Sequence, residues 1–425
     1  METYAKALSY AIPGFTVLIL IEYIASRLMK KEVNRGMDTI SSLSSGMTNT
    51  LKNIMGLSVV ILSYKWMHDN FALLDMKATW WVFIVAFIGI DFAAYWSHRF
   101  NHKVNLFWNR HIVHHSSEEF NLSCALRQSV SDVIGIYFFL YIPLALIGVP
   151  VIVIAYTAPI HLFAQFWYHT RLIGKMGILE HIIVTPSHHR VHHAINPEYI
   201  DKNLSTIFII WDKLFGTFQE ELDDVPPVYG VIKPVKTWNP VLINFVHLWG
   251  LVKDAWRAQS WKDKLRIWYM PTGWRPADVA AKYPIEITEN PYAQVKYSTP
   301  TSGFFLGWFW AQLVINLALM LFLLTNFANI AYLDLMLYGT FLWISIFAYT
   351  TTMDKHRLGI GFEGLKFILG AYLIYKTQGW FGMEAALPSA GILIGAYLIL
   401  SMSLTVAFLR KGSIQMSPQS TISTT

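Results

Sequence analysis

Long apolar runs recur along this chain and constrain its fold more than any other feature. They lie at about 10–29, 54–67, 79–97, 130–148, 150–168, 303–324, 329–350 and 386–409, with a weaker run at 361–375. A helix of about 20 apolar residues crosses the hydrocarbon layer of a bilayer. Only 14% of the 425 residues are charged, against roughly 25% in a soluble protein. We therefore predict an all-α, polytopic membrane helical bundle with eight or nine transmembrane helices.

Basic residues suggest how this bundle is oriented. Lys30, Lys31 and Arg35 follow the first run, and the positive-inside rule places that loop in the cytoplasm. Counting the runs onward from this loop places the histidine-rich segments on the cytoplasmic side. We expect a multi-pass protein of the endoplasmic reticulum in a eukaryote or of the inner membrane in a bacterium. A single cysteine, Cys124, excludes an intrachain disulfide and a cysteine-based metal site, and no basic cluster predicts a nucleic-acid partner.

Twelve of the fifteen histidines lie between residues 98 and 193. They form three motifs, HRFNH at 98–102, HIVHH at 111–115 and HHRVHH at 188–193, and the segment between the last two adds His161 and His169. Residues three and four apart share one face of a helix, so each motif presents imidazoles from one side. Imidazole is a common ligand of iron, zinc and copper. The pattern predicts a histidine-rich cap on the cytoplasmic face that holds two metal ions.

Metal ions at the edge of a bilayer are well placed to activate O2 for the oxidation of a lipid C–H bond. Neutral imidazoles fit iron, and neighbouring carboxylates fix their tautomers. The supporting residues that we expect around the ligands are Asp91, Glu118, Asp201, Asp212 and His161. No catalytic residue outside the metal site is assigned.

The histidine spacing, together with neighbouring segments, resembles the fatty acid hydroxylase and sterol desaturase superfamily. The segments SSEEFNLSCALRQS, QFWYHT, TPSHHRVHH and DKNLSTIFIIWDKLFGTFQEE are similar to the alkylglycerol monooxygenase branch. The resemblance runs from about the third apolar run to GWRP at 273–276, roughly half of the chain. It implies two iron ions and hydroxylation of the ether-bearing carbon of an alkylglycerol, which gives a fatty aldehyde and a glycerol. It also implies O2 as oxidant and tetrahydrobiopterin as reductant.

The family pattern implies a set of iron ligands in this chain. It assigns ligation to His98, His102, His111, His114, His115, His189, His192 and His193, with His169 and His188 as further ligands or supporting groups.

One residue departs from the pattern of the animal ether-lipid enzymes. They have a glutamate after the second histidine of the first motif, where this chain has Lys103. A cation cannot make the same hydrogen bonds as a carboxylate. The alternative is therefore a sterol, carotenoid or fatty acyl hydroxylase or desaturase supplied by a ferredoxin or cytochrome-type donor.

Two more distant readings of the histidines are also open. A zinc hydrolase would keep a glutamate base in HExxH, which is absent from the sequence. A metal transporter would place its ligands inside the membrane spans.

The apolar pattern divides the chain into five parts. We expect N-terminal transmembrane helices at 1–78, a fatty acid hydroxylase-type catalytic domain at 79–225 and a cytoplasmic or interfacial amphipathic segment at 226–300. C-terminal transmembrane helices follow at 301–412, and a disordered tail at 413–425. Within the third part, Trp and basic residues alternate along 238–268, a pattern typical of a helix in the membrane interface.

Overall fold

The computed structural model describes residues 2–414, which are all-α. Within that range β structure is limited to three isolated bridges, which agrees with the predicted fold class. Six helices are long and apolar enough to cross a membrane, fewer than the eight or nine spans predicted. Two further apolar helical segments, 136–146 and 151–163, are shorter.

The described part of the chain forms seventeen α-helices. The N-terminal four are α1 Glu2–Leu28, α2 Gly36–Ile54, α3 Tyr64–Phe71 and α4 Trp80–Lys103. The middle of the chain contains shorter helices, α5 Asn105–Trp108, α6 Ile112–His115, α7 Ile142–Leu146, α8 Val151–Phe163, α9 Pro186–His192, α10 Ile210–Phe215, α11 Pro240–Arg257, α12 Trp261–Arg266 and α13 Ala277–Lys282. The last four are α14 Gly303–Thr325, α15 Tyr332–Met353, α16 Leu358–Thr377 and α17 Ala390–Ile414.

All four C-terminal runs form the predicted long helices. They pack with α1 and α2 around the largest apolar core of the protein, which includes Leu51, Phe309, Tyr338 and Phe341. The disordered tail predicted from 413 begins inside α17, and residues 415–425 lie outside the described part of the chain.

The predicted span at 54–67 is wrong, because residues 55–63 are not helical. The preceding helix α2 lies beside α15 instead. Ser44 hydrogen-bonds Tyr349, the Trp343 indole donates to the Thr48 carbonyl, and Met55 lies against Gly339. These contacts make the two helices antiparallel along most of their lengths. Hydropathy missed α2 because its serines and threonines are buried in protein rather than exposed to lipid.

The runs at 130–148 and 150–168 form a shorter hairpin than predicted. Residues 136–141 are a 3-10 helix that leads into α7, and α8 has 13 residues, about 20 Å of helix against a hydrocarbon layer of about 30 Å. The chain turns between α7 and α8 at Gly148. Its φ is 75°, and a Cβ there would lie 1.8 Å from the Leu74 carbonyl oxygen. Only glycine fits at this turn.

A buried ion pair explains why the run at 361–375 looked weak. Lys366 Nζ lies 2.6 Å from Glu363 Oε2 one turn earlier on α16, and both side chains are fully buried. Ser401 of α17 accepts a hydrogen bond from Lys366 and donates one to Glu363. The two charges therefore offset each other inside the helix bundle.

We expect Lys366→Met to lower the stability of the protein strongly. Removal of one partner leaves a buried charge without compensation, at about 3–5 kcal/mol. The double variant Glu363→Leu/Lys366→Met removes both charges and should recover most of this loss. Thermal unfolding in detergent measures both variants, and equal destabilisation of the single and the double variant would contradict the prediction.

Candidate metal centre

The three histidine motifs come together because three helix ends meet at one place. His98 and His102 lie in the last turns of α4, His114 and His115 end α6, and α9 carries the third motif. Helix α9 follows Thr185 and has Pro186 in its first turn.

Five imidazoles form the first cluster, which we call the five-histidine group. Its members are His98, His102, His111, His115 and His192, and one ring nitrogen of each lies within 4.8 Å of all the others. The Nε2 atom of His111 is 2.8 Å from that of His98 and 3.1 Å from that of His115. These nitrogens therefore converge on a common point.

Four imidazoles form a second cluster, the four-histidine group. Its members are His114, His169, His189 and His193. The Nε2 atom of His189 lies 2.8 Å from that of His169 and 3.0 Å from that of His193. The group is closed on one side by the Phe120 ring.

The two groups are neighbours, and two of the three double histidines contribute one member to each group. His114 and His193 belong to the four-histidine group, whereas the adjacent His115 and His192 belong to the other. Consecutive residues on a helix point about 100° apart, so one helical turn can supply two sites. The rings of His115 and His193 stack at 4.3 Å between centroids. The two groups could therefore each hold a metal ion, side by side.

Hydrogen bonds on the far side of several rings fix which nitrogen faces the centre. The Nδ1 atoms of His98, His192 and His169 lie 2.7 to 3.0 Å from the carbonyl oxygens of Leu204, Lys202 and Gln165, respectively. A carbonyl only accepts, so Nδ1 carries the proton and Nε2 directs its lone pair inward. This is the tautomer that ligates a metal ion.

Unpartnered nitrogens show that the groups fit a cation. The Nε2 atoms of His102 and His192 are buried and have no hydrogen-bond partner. A buried polar atom without a partner is costly, and a cation at the centre of the five-histidine group would engage both. The two groups are therefore able to bind metal ions.

Comparison with known proteins assigns the family. The profile named Fatty acid hydroxylase matches residues 83–217, a range that holds all nine clustered histidines. The chain is 38% identical to human alkylglycerol monooxygenase over 306 residues, which are 71% of this chain and 67% of the relative. The chain belongs to the alkylglycerol monooxygenase family. Its members are oxidoreductases, and the wider fatty acid hydroxylase family is iron-dependent.

Other relatives extend this comparison. The alkylglycerol monooxygenase of Danio rerio is 42% identical over 284 residues, 65% of this chain and 61% of the relative. An ornithine lipid hydroxylase of Rhizobium tropici is 28% identical over 135 residues, 32% of this chain and 41% of the relative. The chain thus spans between about half and two thirds of the length of the alkylglycerol monooxygenases that it matches. No solved structure matches it.

Burial favours the neutral form of the imidazoles in the four-histidine group of this member of the alkylglycerol monooxygenase family. It lowers the pKa of His114 to about 3, with a smaller contribution from the nearby His169, and it lowers the pKa of His169 to about 3. Burial, followed by neighbouring imidazoles, also lowers the pKa of His189 and His193 well below 6.5. Neutral imidazole is the form that binds metal.

We expect the metal-free protein to lose stability as the pH falls below about 6.5, the pKa of an unfolded histidine. Between that pH and the lowered folded-state values, the unfolded chain binds protons that the folded chain does not. Each such imidazole therefore costs about 1.4 kcal/mol per pH unit. Melting temperatures of chelator-treated protein at pH 7.5, 6.5 and 5.5 measure the effect, and added metal should move the fall to lower pH. A flat profile would contradict the buried neutral imidazoles.

Two aspartates hold the loop that supplies carbonyls to the ligands. Asp91 accepts hydrogen bonds from the Thr206 hydroxyl, the Ile207 and Phe208 amides and the Trp211 indole. Asp212 accepts from the Leu204 and Ser205 amides. Because the carbonyls that bond His192 and His98 lie at 202 and 204, both carboxylates act on the five-histidine group through this loop.

Asp201 touches a clustered histidine directly. Its Oδ1 lies 3.2 Å from His102 Nδ1, and its Oδ2 lies 2.6 Å from Lys103 Nζ. Burial opposes ionisation of this carboxyl, but the hydrogen bonds and charges of His102 and Lys103 outweigh it and lower its pKa. Lys103, the residue that departs from the family pattern, therefore neutralises an aspartate that orients His102.

Besides the three aspartates, three other predicted residues lie outside the two groups. His188 Nδ1 faces the Thr185 amide at the start of α9, and its Nε2 lies 3.7 Å from Glu180; it caps the helix instead of joining the cluster. Glu118 accepts from the Tyr297 amide and lies near Arg35. His161 hydrogen-bonds Asp91, the carboxylate that holds the loop at 206–208.

Sequence reasoning missed the backbone groups and rings around the histidines. The carbonyls of Lys202, Leu204 and Gln165 carry no sequence signal, because every residue has one. The Trp108 ring, which lies 5.1 Å from that of His102 and 5.4 Å from that of His115, could have been noticed from its position between the first two motifs.

Proposed function

We propose that this chain is a membrane di-iron monooxygenase that hydroxylates a lipid C–H bond with O2. The observation that carries the proposal is the pair of adjacent histidine groups, whose inward nitrogens converge at the end of the membrane-spanning helix α4. Nine clustered imidazoles suit two iron ions, and they exceed the number of ligands that one catalytic zinc ion requires. Residues 79–225 are the proposed catalytic region, with the site on the cytoplasmic side.

The residues around the site have distinct tasks in this proposal. The histidines of the two groups would hold the iron ions, and the carbonyls of Lys202, Leu204 and Gln165 keep their rings oriented. Bound iron supplies electrons to O2 and thereby the oxidising power for C–H hydroxylation. Phe120 and Trp108 border the histidines with apolar surface, which limits access of water.

We propose an alkylglycerol as the substrate, with reaction at the ether-bearing carbon. Hydroxylation consumes one O2 and two electrons, places one oxygen atom on the carbon and releases the other as water. The resulting hemiacetal breaks into a fatty aldehyde and a glycerol. Relatives named alkylglycerol monooxygenase at 36–42% identity support this choice.

Tetrahydrobiopterin is the proposed reductant. The alternative donor is a ferredoxin or cytochrome-type protein acting on a sterol, carotenoid or acyl chain. Lys103 is the reason to keep this alternative. Where the animal ether-lipid enzymes have a glutamate, this chain has a lysine that is paired with Asp201.

The test is fatty aldehyde release from an alkylglycerol by membranes that carry the chain, with iron and O2, in the presence and absence of tetrahydrobiopterin. Membranes with the His114→Ala variant are the control. We expect pterin-dependent release that the variant abolishes. No release from protein that holds two irons would refute the alkylglycerol substrate and favour the sterol, carotenoid or acyl alternative.

A further inference from the structure

An open groove of about 770 Å³ lies between helices α11 and α12. Its apolar lining comes from Trp249, Val252, Trp256, Trp261, Leu265 and Trp268. Trp256 is 84% exposed and Trp261 is 76% exposed. A contiguous exposed patch of this kind marks a binding surface, and its volume is that of a site for a sizeable ligand.

The groove is tied to the ends of two membrane spans on the histidine side. At the start of α11, the Asn239 amide donates to Thr351 near the end of α15. At the other end of the groove, the Trp268 carbonyl accepts from the Leu106 amide, three residues after α4. Both helices therefore lie beside the ends of α15 and α4, where we expect these two spans to leave the bilayer.

The groove is positively charged. Lys253, Arg257 and Lys264 line it, and no carboxylate does. The two acids on these helices are already bound, Asp254 to Arg275 and Asp263 to Arg266. Lys253 and Lys264 lie 5.6 and 5.3 Å from the rings of Trp249 and Trp261. Cations and indoles are therefore neighbours in the groove, and a ligand with an anionic group attached to an apolar chain would contact both.

We propose that this groove binds an anionic phospholipid. The acyl chain lies against the indoles, and Lys253, Arg257 and Lys264 bind the phosphate and its net negative charge. The inference uses only the α11–α12 surface and the membrane spans, so it does not rest on the proposed oxygenase chemistry.

Native mass spectrometry of the purified full chain, titrated with phosphatidylglycerol or phosphatidylcholine, tests the proposal. We expect phosphatidylglycerol to bind at about 100-fold lower concentration, since each of the three basic residues contributes about 1 kcal/mol near such a headgroup and about 1.4 kcal/mol is a factor of ten. Lys253→Gln/Arg257→Gln/Lys264→Gln should remove this preference. The matched variant Lys6→Gln/Lys31→Gln/Lys77→Gln, at exposed lysines elsewhere, should keep the preference for phosphatidylglycerol. Trp256→Ala should weaken the binding of both lipids to the same extent.

Two results would overturn the proposal. One is an unchanged preference in the groove variant. The other is displacement of phosphatidylglycerol by millimolar inorganic phosphate, which would show a phosphate site without a lipid. Iron content measured on the same samples separates failure of this inference from failure of the oxygenase proposal.

Discussion

Replacing His189 by alanine is expected to abolish product formation and to lower the metal content of the protein. His189 lies in the four-histidine group, 2.8 Å from His169 and 3.0 Å from His193 between Nε2 atoms. Loss of a residue that orients a metal ligand lowers metal affinity or activity by about 10–100-fold. Loss of a ligand itself should have a larger effect. Metal analysis and aldehyde release on the same purified sample measure both effects.

The neighbouring His188→Ala variant is the matched control. His188 is the same residue type on the same helix, but it contacts Thr185 and Glu180 rather than the groups. We expect this variant to lose about 1 kcal/mol of stability with the helix cap and to keep its metal. Equal metal loss in both variants would show that the division between His188 and His189 is incorrect.

Asp91→Asn is expected to lower metal affinity by about 10–100-fold, the range for residues that orient ligands. The carboxylate accepts five hydrogen bonds, counting that of His161, and its side chain is fully buried. An amide group in its place would direct an N–H toward other donors. The loop at 202–208 should shift, and the carbonyls that orient His98 and His192 should move with it.

Metal competition with a chelator measures the affinity of the Asp91→Asn variant. Asp75→Asn is the control, because Asp75 is exposed. If Asp91→Asn bound metal like the wild type, the loop would not be what positions the five-histidine group.

From the sequence we predicted that the histidines converge, but not which of them belong to each of the two groups. Spacing of three and four residues put the rings of each motif on one face, and nine of the ten predicted histidines lie in the two groups. The exception, His188, has the same helical spacing to His192 as His189 has to His193. Only the start of α9 at Thr185 decides that His188 caps the helix, and spacing alone does not contain that contact.

The membrane fold was predictable where helices face lipid and not where they face protein. Helices α14 and α17 are apolar enough to be recognised by hydropathy alone. The polar helix α2 was not, because its serines, its threonines and Lys52 are buried against other parts of the chain. Likewise, the charges of Glu363 and Lys366 weakened the signal of α16, although they neutralise each other in the folded bundle.

Iron content and substrate-dependent O2 consumption, measured together on the purified chain, test the central proposal most directly. We predict two irons per chain and one aldehyde released per O2 consumed, with both quantities lost in His189→Ala and retained in His188→Ala. One metal ion or none per active chain, or O2 consumption that yields no oxidised lipid, would contradict a di-iron lipid hydroxylase.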